Sequence, residues 1–321
     1  MKSYIKLTFM LVLLLVPGTA SQTVAGQNFL IYLPYPSSDS VILNPSEPLD
    51  ETGVLLEILK PYYQRATGRN FSIENLSGRG GAQTWIELIR RTSDGYNLAL
   101  TVIPSFILRA LSTYPPYKMG ELATVCMFAE LPVMLWVPEG SPYKTVEALV
   151  ESARAYPERV AIGGSGTNSG MHLAHLRFNR LSGVKALYFP FIGTSSAMKA
   201  AISGQVHAAW GGAILQMGMR PLAVALEQRH PLFPDVPTFD ERKIGLFESA
   251  AFGLALPGDT PAKSSQSAAT VFYNIARDSA FQQQIQARGF FPKPMNLLET
   301  VKFLETQTEK YRALKEEYNL E

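Results

Sequence analysis

Short apolar segments alternate along the chain with stretches in which apolar residues recur every three or four positions. The segments at 29–34, 71–75 and 97–102 (FLIYLP, FSIEN and NLALTV) are typical of strands. Between the first two, residues 53–67 carry apolar side chains at helical spacing and are followed by Gly68, which suits a helix C-terminus. Helices are also expected at 83–91 and from Ser105 onward. This alternation predicts an α/β fold with a mixed, mostly parallel sheet flanked by helices.

The same alternation starts again after Cys126. Strands are predicted at 131–138, 160–163, 185–191 and 206–212. Helices are predicted at 145–156, with Thr145 as the N-cap, at 171–182 and from the serines after Gly193 to Gly204. After a proline-rich loop, a strand is predicted near 250–256 and helices at 261–276, 279–288 and 297–318. We therefore expect two α/β lobes, the first formed by 27–126 plus 228–321 and the second by 127–227.

The N-terminal segment resembles a targeting signal. Lys2 and Lys6 precede an apolar run at 7–16, and small residues follow at 18–20 and 25. This order is typical of a secretory signal peptide, and we assign it to residues 1–26. The run is short for a membrane span, although an uncleaved N-terminal anchor remains an alternative. The expected location of the mature protein is the periplasm.

Charge and cysteine content argue against a nucleic-acid-binding protein and against a lipoprotein. Without Lys2 and Lys6, 29 − 2 = 27 basic residues balance 27 acidic residues. A neutral chain without a basic stripe is not expected to bind nucleic acid. The one cysteine, Cys126, lies in an apolar run far from the signal segment, which indicates core packing and excludes a lipoprotein anchor.

Three segments share the order strand, small-residue turn, helix. They lie at 75–85, 163–172 and 190–199. In open α/β sheets such turns meet beyond the carboxyl ends of the strands, where helix N-termini favour anions. The turns lack the lysine of a phosphate-binding loop, so a carboxylate is the favoured anion over a polyphosphate. The plainer alternative is that these residues only form turns and cap helices.

The sequence supports a catalytic site or a metal site less well than an anion-binding site. Neither Ser165 nor Ser169 lies in a nucleophile-elbow pattern, so a Ser/His hydrolase using one of them with His172 is a minor alternative. His172 and His175 share a helix face, but no third metal ligand lies nearby in sequence. No catalytic residue, metal or cofactor is therefore expected. Trp210 could line a cleft or lie in the core.

Several motifs together resemble the Bug family, the extracytoplasmic solute receptors of tripartite tricarboxylate transporters. A strand ends in Leu33-Pro34-Tyr35, and the family's E-N-x-x-G-x-G-G and D-G-Y-x-L patterns appear at 74–81 and 94–98. SGTNSGMHL at 165–173, PFIGTSSA at 190–197, SGQV at 203–206 and PDVPT at 234–238 follow in family order. The resemblance extends from about residue 28 to the end of the chain.

The resemblance implies a periplasmic-binding-protein fold of type II, with a small organic carboxylate held between two lobes rather than processed. Its implied partners are the membrane subunits of a tripartite tricarboxylate transporter or a sensor protein. The candidate ligand-binding residues lie at the matching turns: Tyr35, Ser37, Ser38, Gly80, Gly81, Ser105, Ser165, Thr167, Ser169, His172, Gly193, Thr194, Ser195, Trp210 and Gly211. We expect the hydroxyl groups of Ser169 and Thr194 to donate to one ligand carboxylate.

The first loop departs from the family pattern. Members carry a glycine-rich loop with a Thr-Asp pair before the first helix, whereas residues 34–53 have no glycine run and Gly53 follows Thr52. Acidic residues at 39, 47, 50 and 51 could repel a tricarboxylate if they reach the cleft. This departure leaves open the alternative of a degenerate receptor that acts as a protein-interaction module.

We predict that the signal segment is cleaved between Ala20 and Gly26 on export. Intact mass spectrometry of a periplasmic extract should show a product that begins in this window. A full-length protein retained in the membrane fraction would contradict the assignment.

Overall fold

The computed structural model describes residues 29–35 and 50–320. The strands in this part of the chain are β1 (Phe29–Leu33), β2 (Phe71–Asn75), β3 (Asn97–Ile103), β4 (Leu122–Pro138), β5 (Ala161–Ser165), β6 (Leu187–Phe191), β7 (Ala208–Gly212), β8 (Met219–Val224), β9 (Ser249–Pro257) and β10 (Phe291–Met295). The helices are α1 (Glu51–Thr67), α2 (Ala82–Ile89), α3 (Ser105–Ala110), α4 (Val146–Ala155), α5 (Gly170–Ser182), α6 (Thr194–Ile202), α7 (Ala262–Arg277), α8 (Ser279–Gln286) and α9 (Leu297–Tyr318). Across the same residues, no helix combines the length and apolarity that a membrane span needs.

The strands form one mixed sheet in the order β2-β1-β3-β9-β4-β7-β5-β6, and β8 and β10 also pair with β4. The α/β class and the mixed sheet agree with the sequence prediction. The expectation of mostly parallel pairing needs correction, since five of the nine strand pairs in the described part of the chain are antiparallel. All five involve β4 or β9, whose long apolar runs give no sequence signal for direction.

Strand β4 is longer than its pattern predicted. A strand was expected only at 131–138, but β4 extends for 17 residues and includes the apolar run around Cys126. Its first half pairs with β9 and β10, and its second half pairs with β7 and β8. Register shifts between Thr124 and Cys126 and between Met127 and Ala129 allow this one strand to bend between the two sets of partners.

Helix ends follow local chemistry. The Thr145 side chain accepts a hydrogen bond from the Ala148 N–H and so caps α4, as its sequence position predicted. Helix α1 starts two residues earlier than expected, because Asp50 caps its N-terminus. Gly68 closes α1 in the left-handed region at φ 70°, where glycine avoids the steric penalty of a side chain.

The buried apolar residues form three clusters that do not follow a single boundary. One cluster lies within 133–246 and contains Phe178, Trp210 and Phe239. The largest cluster combines residues of β1, α1, β9 and α7 with residues of α6 and β7. Phe239 and Leu246 pack in the cluster formed mostly by 133–225, although the predicted second lobe ends at 227. The division into two lobes remains a prediction.

A side chain added at Gly253 should destabilise the β4–β9 pairing. A Cβ atom there would lie 2.4 Å from the Cys126 carbonyl oxygen and 2.5 Å from the Met127 sulfur. We expect Gly253→Ala to lower the free energy of unfolding by about 1–3 kcal/mol, measured by denaturant titration. Gly140→Ala is the control, because a Cβ atom there meets nothing within 4 Å. Equal stability of the two variants would contradict the close approach of β4 and β9.

Candidate functional site

A small cavity lies where β1, α1, α3 and α6 converge on the long strands β4 and β9. Its volume is about 30 Å³, which is the space one water molecule occupies in the liquid. We name it the central cavity; it is lined by Tyr35, Glu51, Thr52, Val102, Pro104, Ser105, Leu131, Val133, Ser165, Gly170, Met171, Thr194, Gly212, Ser249, Ala250 and Phe252. Four predicted ligand-binding residues, Tyr35, Ser105, Ser165 and Thr194, are therefore brought together although up to 159 positions separate them.

Hydrogen bonds join the residues on opposite sides of this cavity. The Tyr35 hydroxyl group lies 3.0 Å from Ser105 Oγ and 3.3 Å from the Gly80 carbonyl oxygen. Ser105 Oγ in turn accepts a hydrogen bond from the Gly170 N–H at the start of α5, at 3.3 Å. One of the free N–H groups that the helix N-terminus was expected to offer a ligand is thus bonded by the protein itself.

The carboxyl group of Glu51 occupies the centre of the site. Its Oε1 accepts a hydrogen bond from the Gly212 N–H at 2.8 Å, and the Thr194 hydroxyl group is a second hydrogen-bond partner. The space at Gly212 is tight, because a Cβ atom there would lie 2.2 Å from Leu131 Cδ2 and 3.1 Å from Glu51 Cγ. The structure therefore packs an acidic side chain against Thr194, which was expected to hold a ligand anion, and against the Gly212 N–H at the end of β7.

Burial makes this position unfavourable for an ionised group. Glu51 is only 6% exposed, and Asp50, which caps α1, is 4% exposed. Desolvation and repulsion from Asp50 raise the pKa of Glu51, and desolvation raises the pKa of Asp50. The hypothesis that acidic residues of the first loop reach the cleft holds for Glu51. Asp39 and Glu47 lie outside the described residues.

A more open groove adjoins the central cavity. It has a volume of about 440 Å³; we name it the mouth groove, and it is lined by Arg79, Gly80, Ala82, Arg109, Ser112, Tyr114, Pro116, Gly166, Thr167 and Pro190. The Arg109 guanidinium group donates to the Thr167 carbonyl oxygen, while its Nε atom is buried without a hydrogen-bond partner among the described residues. A Cβ atom at Gly80 would collide with this guanidinium group. The predicted residues Gly80 and Thr167 thus lie at the mouth.

The turn at 163–172 differs from its prediction. Residues 163–165 continue strand β5, so the turn is confined to 166–169. Ser169 is fully buried; its hydroxyl group donates to the Gly166 carbonyl oxygen at 3.0 Å and accepts from the His172 N–H. In this structure Ser169 gives its one hydroxyl proton to the Gly166 carbonyl oxygen while its Oγ caps α5, and donation by Ser169 to a ligand stays a prediction.

His172 also serves the turn. Its Nδ1 accepts a hydrogen bond from the Asn168 N–H at 3.2 Å, and its ring centroid lies 4.7 Å from that of Tyr188. Burial lowers the pKa of His172 to about 4. Because the hydrogen bonds of Ser169 and the Nδ1 atom of His172 go to the backbone, these residues do not form a nucleophile and base pair.

The remaining predicted residues lie beside the central cavity or away from it. Trp210 is in the core, where its indole N–H donates to His175 Nδ1 at 3.3 Å, so it does not line the cleft. Gly81, Gly193, Ser195 and Gly211 are absent from both linings, although Gly193 precedes Thr194 and Gly211 precedes Gly212. Ser37 and Ser38 lie outside the described residues.

A larger cavity of about 560 Å³ lies between β4 and α9. Two of the three acidic side chains that line it are already paired: Glu130 with Lys293, and Glu248 with Arg177 at 2.7 Å. None of the three predicted turns contributes to it. In the part of the chain described here, no cluster of three or more side chains is arranged to hold a metal ion.

Sequence reasoning missed Arg109 and Gly212 as site residues. Arg109 lies on a short helix within a segment that carries no family motif, and its distance in sequence from Thr167 gave no sign of their contact. Gly212 was overlooked beside Gly211. The available signal was the pair of consecutive glycines at the end of a buried strand, which is typical of a close backbone approach.

Comparisons with known proteins show the family of this chain and proteins of similar fold. The sequence model described as "Tripartite tricarboxylate transporter family receptor" matches residues 62–320. A UPF0065 protein encoded in the gbd 5' region of Cupriavidus necator is 26% identical over 274 residues, which cover 84% of each chain. Among solved structures, the R. palustris protein Rpa4515 with adipate is similar at a TM-score of 0.82 and 20% identity, covering 91% of this chain and 97% of that one. The structure of periplasmic binding protein BugD is similar at a TM-score of 0.79 and 19% identity, covering 92% of this chain and 98% of that one.

The buried neutral His172 should make stability depend on pH. The pKa of His172 is about 4 in the folded protein and 6.5 in the unfolded chain. Between pH 4 and pH 6.5 the unfolded chain therefore binds more protons than the folded protein. The free energy of unfolding should therefore fall as pH drops from 6.5 to 4. Asparagine at this position keeps a hydrogen-bond acceptor but does not titrate in this range, so His172→Asn should reduce this loss by about 1–3 kcal/mol.

Denaturant titrations at several pH values measure this slope, with His207→Asn as the control for an exposed histidine. A slope that is the same in the parent and in His172→Asn would show that His172 is not buried in its neutral form.

Proposed function

Since the chain belongs to the tripartite tricarboxylate transporter receptor family, we propose that it is a periplasmic receptor that captures a small organic carboxylate in the central cavity. The family assignment confirms the resemblance that the motifs indicated. It describes receptors rather than enzymes, which agrees with the prediction that the chain is not an enzyme and gives a Ser/His hydrolase no support.

One observation carries the proposal of a carboxylate ligand. The Gly212 N–H and the Thr194 hydroxyl group already bind a carboxyl group, that of Glu51. Their arrangement therefore suits the chemistry of a carboxylate, which accepts hydrogen bonds from backbone N–H and hydroxyl groups. The relative solved with adipate is a protein of the same fold that holds such a ligand.

Arg109 supplies a positive charge at the mouth. Arg109 lines the mouth groove, so its charge faces an incoming anion; its Nε atom is buried without a hydrogen-bond partner in the described part of the chain, and a change in side-chain position would free this donor. The site thus combines a charged group at the entrance with uncharged donors inside. Such a combination attracts an anion while limiting the strength with which it is held, which suits a receptor that must release its cargo.

The cellular context follows from the same assignment. We propose that residues 1–26 direct export to the periplasm and that the protein is not a lipoprotein. The ligand would then pass to membrane subunits of a tripartite tricarboxylate transporter or to a sensor protein. We also propose that 27–126 with 228–321 and 127–227 act as two lobes that close on the ligand. Neither nucleic acid nor a cofactor has a part in this function.

A second candidate function has one observation in its favour. The central cavity of about 30 Å³ is too small for an organic acid unless the protein opens. This would suit a degenerate receptor that binds another protein and no solute. Calorimetric titration with acetate, succinate, malate, adipate and citrate separates the two functions. Saturable one-to-one binding of any of these acids supports the receptor, and binding of none at millimolar concentration contradicts it.

Removal of the charge at Arg109 should weaken binding of every acid in this panel. Glutamine keeps hydrogen-bond donors but has no charge, so Arg109→Gln should lose about 1–3 kcal/mol, or roughly five- to 150-fold in affinity. The loss should increase with the number of carboxylate groups and shrink at high salt. Arg154→Gln is the control, because the Arg154 guanidinium group is exposed and bonds the Ser182 carbonyl oxygen away from both cavities. Unchanged affinity in Arg109→Gln would remove Arg109 from the site.

A further inference from the structure

We propose that the Glu51 carboxyl group occupies the carboxylate-binding position when no solute is bound, and that a solute carboxylate binds by displacing it. This inference rests on the proposed function and deepens it, since it makes Glu51 an internal competitor that sets which acids bind and how tightly.

The first argument is geometric. Glu51 is bonded through its side chain to the Gly212 N–H, at the end of β7, at 2.8 Å and to Thr194, at the start of α6. Its methylene group fills the space above Gly212, where a Cβ atom would come within 3.1 Å of Glu51 Cγ. Glu51 therefore satisfies the donors and fills the volume that a bound acid would otherwise use.

The second argument is the remaining space. With Glu51 in place, the central cavity has a volume of about 30 Å³, enough for a water molecule. Even a four-carbon dicarboxylate is several times larger than water. A solute carboxylate and the Glu51 carboxylate therefore cannot share the cavity in this conformation, and binding requires that one replace the other.

The third argument concerns the cost of keeping Glu51 inside. Burial raises the pKa of Glu51, and repulsion from the neighbouring carboxyl group of Asp50 raises it further. Both effects disfavour the ionised side chain in the cleft. Glu51 is the first residue of α1, so a shift of this helix end would carry its side chain away from Gly212. An ionised Glu51 regains hydration when it leaves.

Three hydrogen bonds hold the two sides of the cleft together when no solute is bound. Ser105 Oγ accepts from the Gly170 N–H, Arg109 donates to the Thr167 carbonyl oxygen, and Glu51 accepts from the Gly212 N–H. Of these three, the Glu51 contact is the one made by a carboxylate. It should hold the ligand-free protein closed and reduce the apparent affinity for solute by the fraction of molecules that are closed in this way.

Calorimetric affinities of three variants test the displacement. Glu51→Ala empties the position, whereas Glu51→Gln removes the charge but keeps a side chain that accepts from the Gly212 N–H. The probes are succinate, malate, adipate and citrate. We expect Glu51→Ala to bind the best of these at least tenfold more tightly than the parent, and Glu51→Gln to gain clearly less. Glu57→Ala is the control. It makes the same substitution elsewhere on α1, at a residue that pairs with Lys60.

The comparison of alanine with glutamine separates displacement from simple repulsion. Equal gains in both variants would mean that Glu51 acts only through its charge and would overturn the proposal. Equal or weaker binding by Glu51→Ala, with the parent binding an acid, would also overturn it while the receptor function stands. If neither the parent nor any variant binds an acid, the proposed function fails and the inference fails with it.

A measurement without solute tests the same contact independently. Nitroxide labels at Tyr114→Cys and Ile192→Cys report the width of the mouth, since Tyr114 lines the mouth groove, Ile192 lies two residues beyond Pro190, and both are exposed. The native Cys126 is buried and should not react. Electron–electron resonance should give a narrow distance distribution in the parent background and a longer or broader one with Glu51→Ala. Identical distributions, with both proteins folded by circular dichroism, would show that Glu51 does not hold the cleft closed.

Discussion

The antiparallel pairing of β4 with β9 is the constraint on which the rest of the structure depends. β4 extends for 17 residues, and its two halves pair with different strands, so one continuous strand connects the elements on both sides of the site. A Cβ atom added at Gly253 would lie 2.4 Å from the Cys126 carbonyl oxygen, so this pairing leaves no room for a side chain there. The floor of the central cavity, which includes Leu131, Val133 and Phe252, comes from these two strands.

The site depends on backbone groups more than on charged side chains. The end of β7 and the turn after β6 bring Gly212 and Thr194 towards the first helix, and this helix places a carboxyl group on them. A buried carboxylate is unfavourable unless its hydrogen bonds are satisfied, and here a backbone N–H and a hydroxyl group supply them. The same donors that make the position suitable for Glu51 make it suitable for the carboxylate of a solute.

Much of this architecture could be predicted from the sequence, because strands followed by small-residue turns and helices carry a strong local signal. Thr145 as a helix cap and the convergence of Tyr35, Ser105, Ser165 and Thr194 are examples.

The direction of β4 and β9 could not be predicted, since a long apolar run is the same in either direction. Strand β10 was missed because it contains two prolines. The contacts of Glu51 and Arg109 join residues far apart in sequence, and no local pattern encodes such contacts. The cap that Ser169 makes could not be distinguished from a ligand contact in the sequence, because a serine before a helix fits both equally well.

The central claim is that the Gly212 N–H and the Thr194 hydroxyl group form a carboxylate anchor that Glu51 fills in the absence of solute. A crystal structure of the protein with the tightest-binding acid of the panel tests it most directly. The account predicts a solute carboxylate oxygen within hydrogen-bond distance of the Gly212 N–H, with the Glu51 side chain moved out of the central cavity. An acid bound elsewhere, with Glu51 still on Gly212, would contradict it.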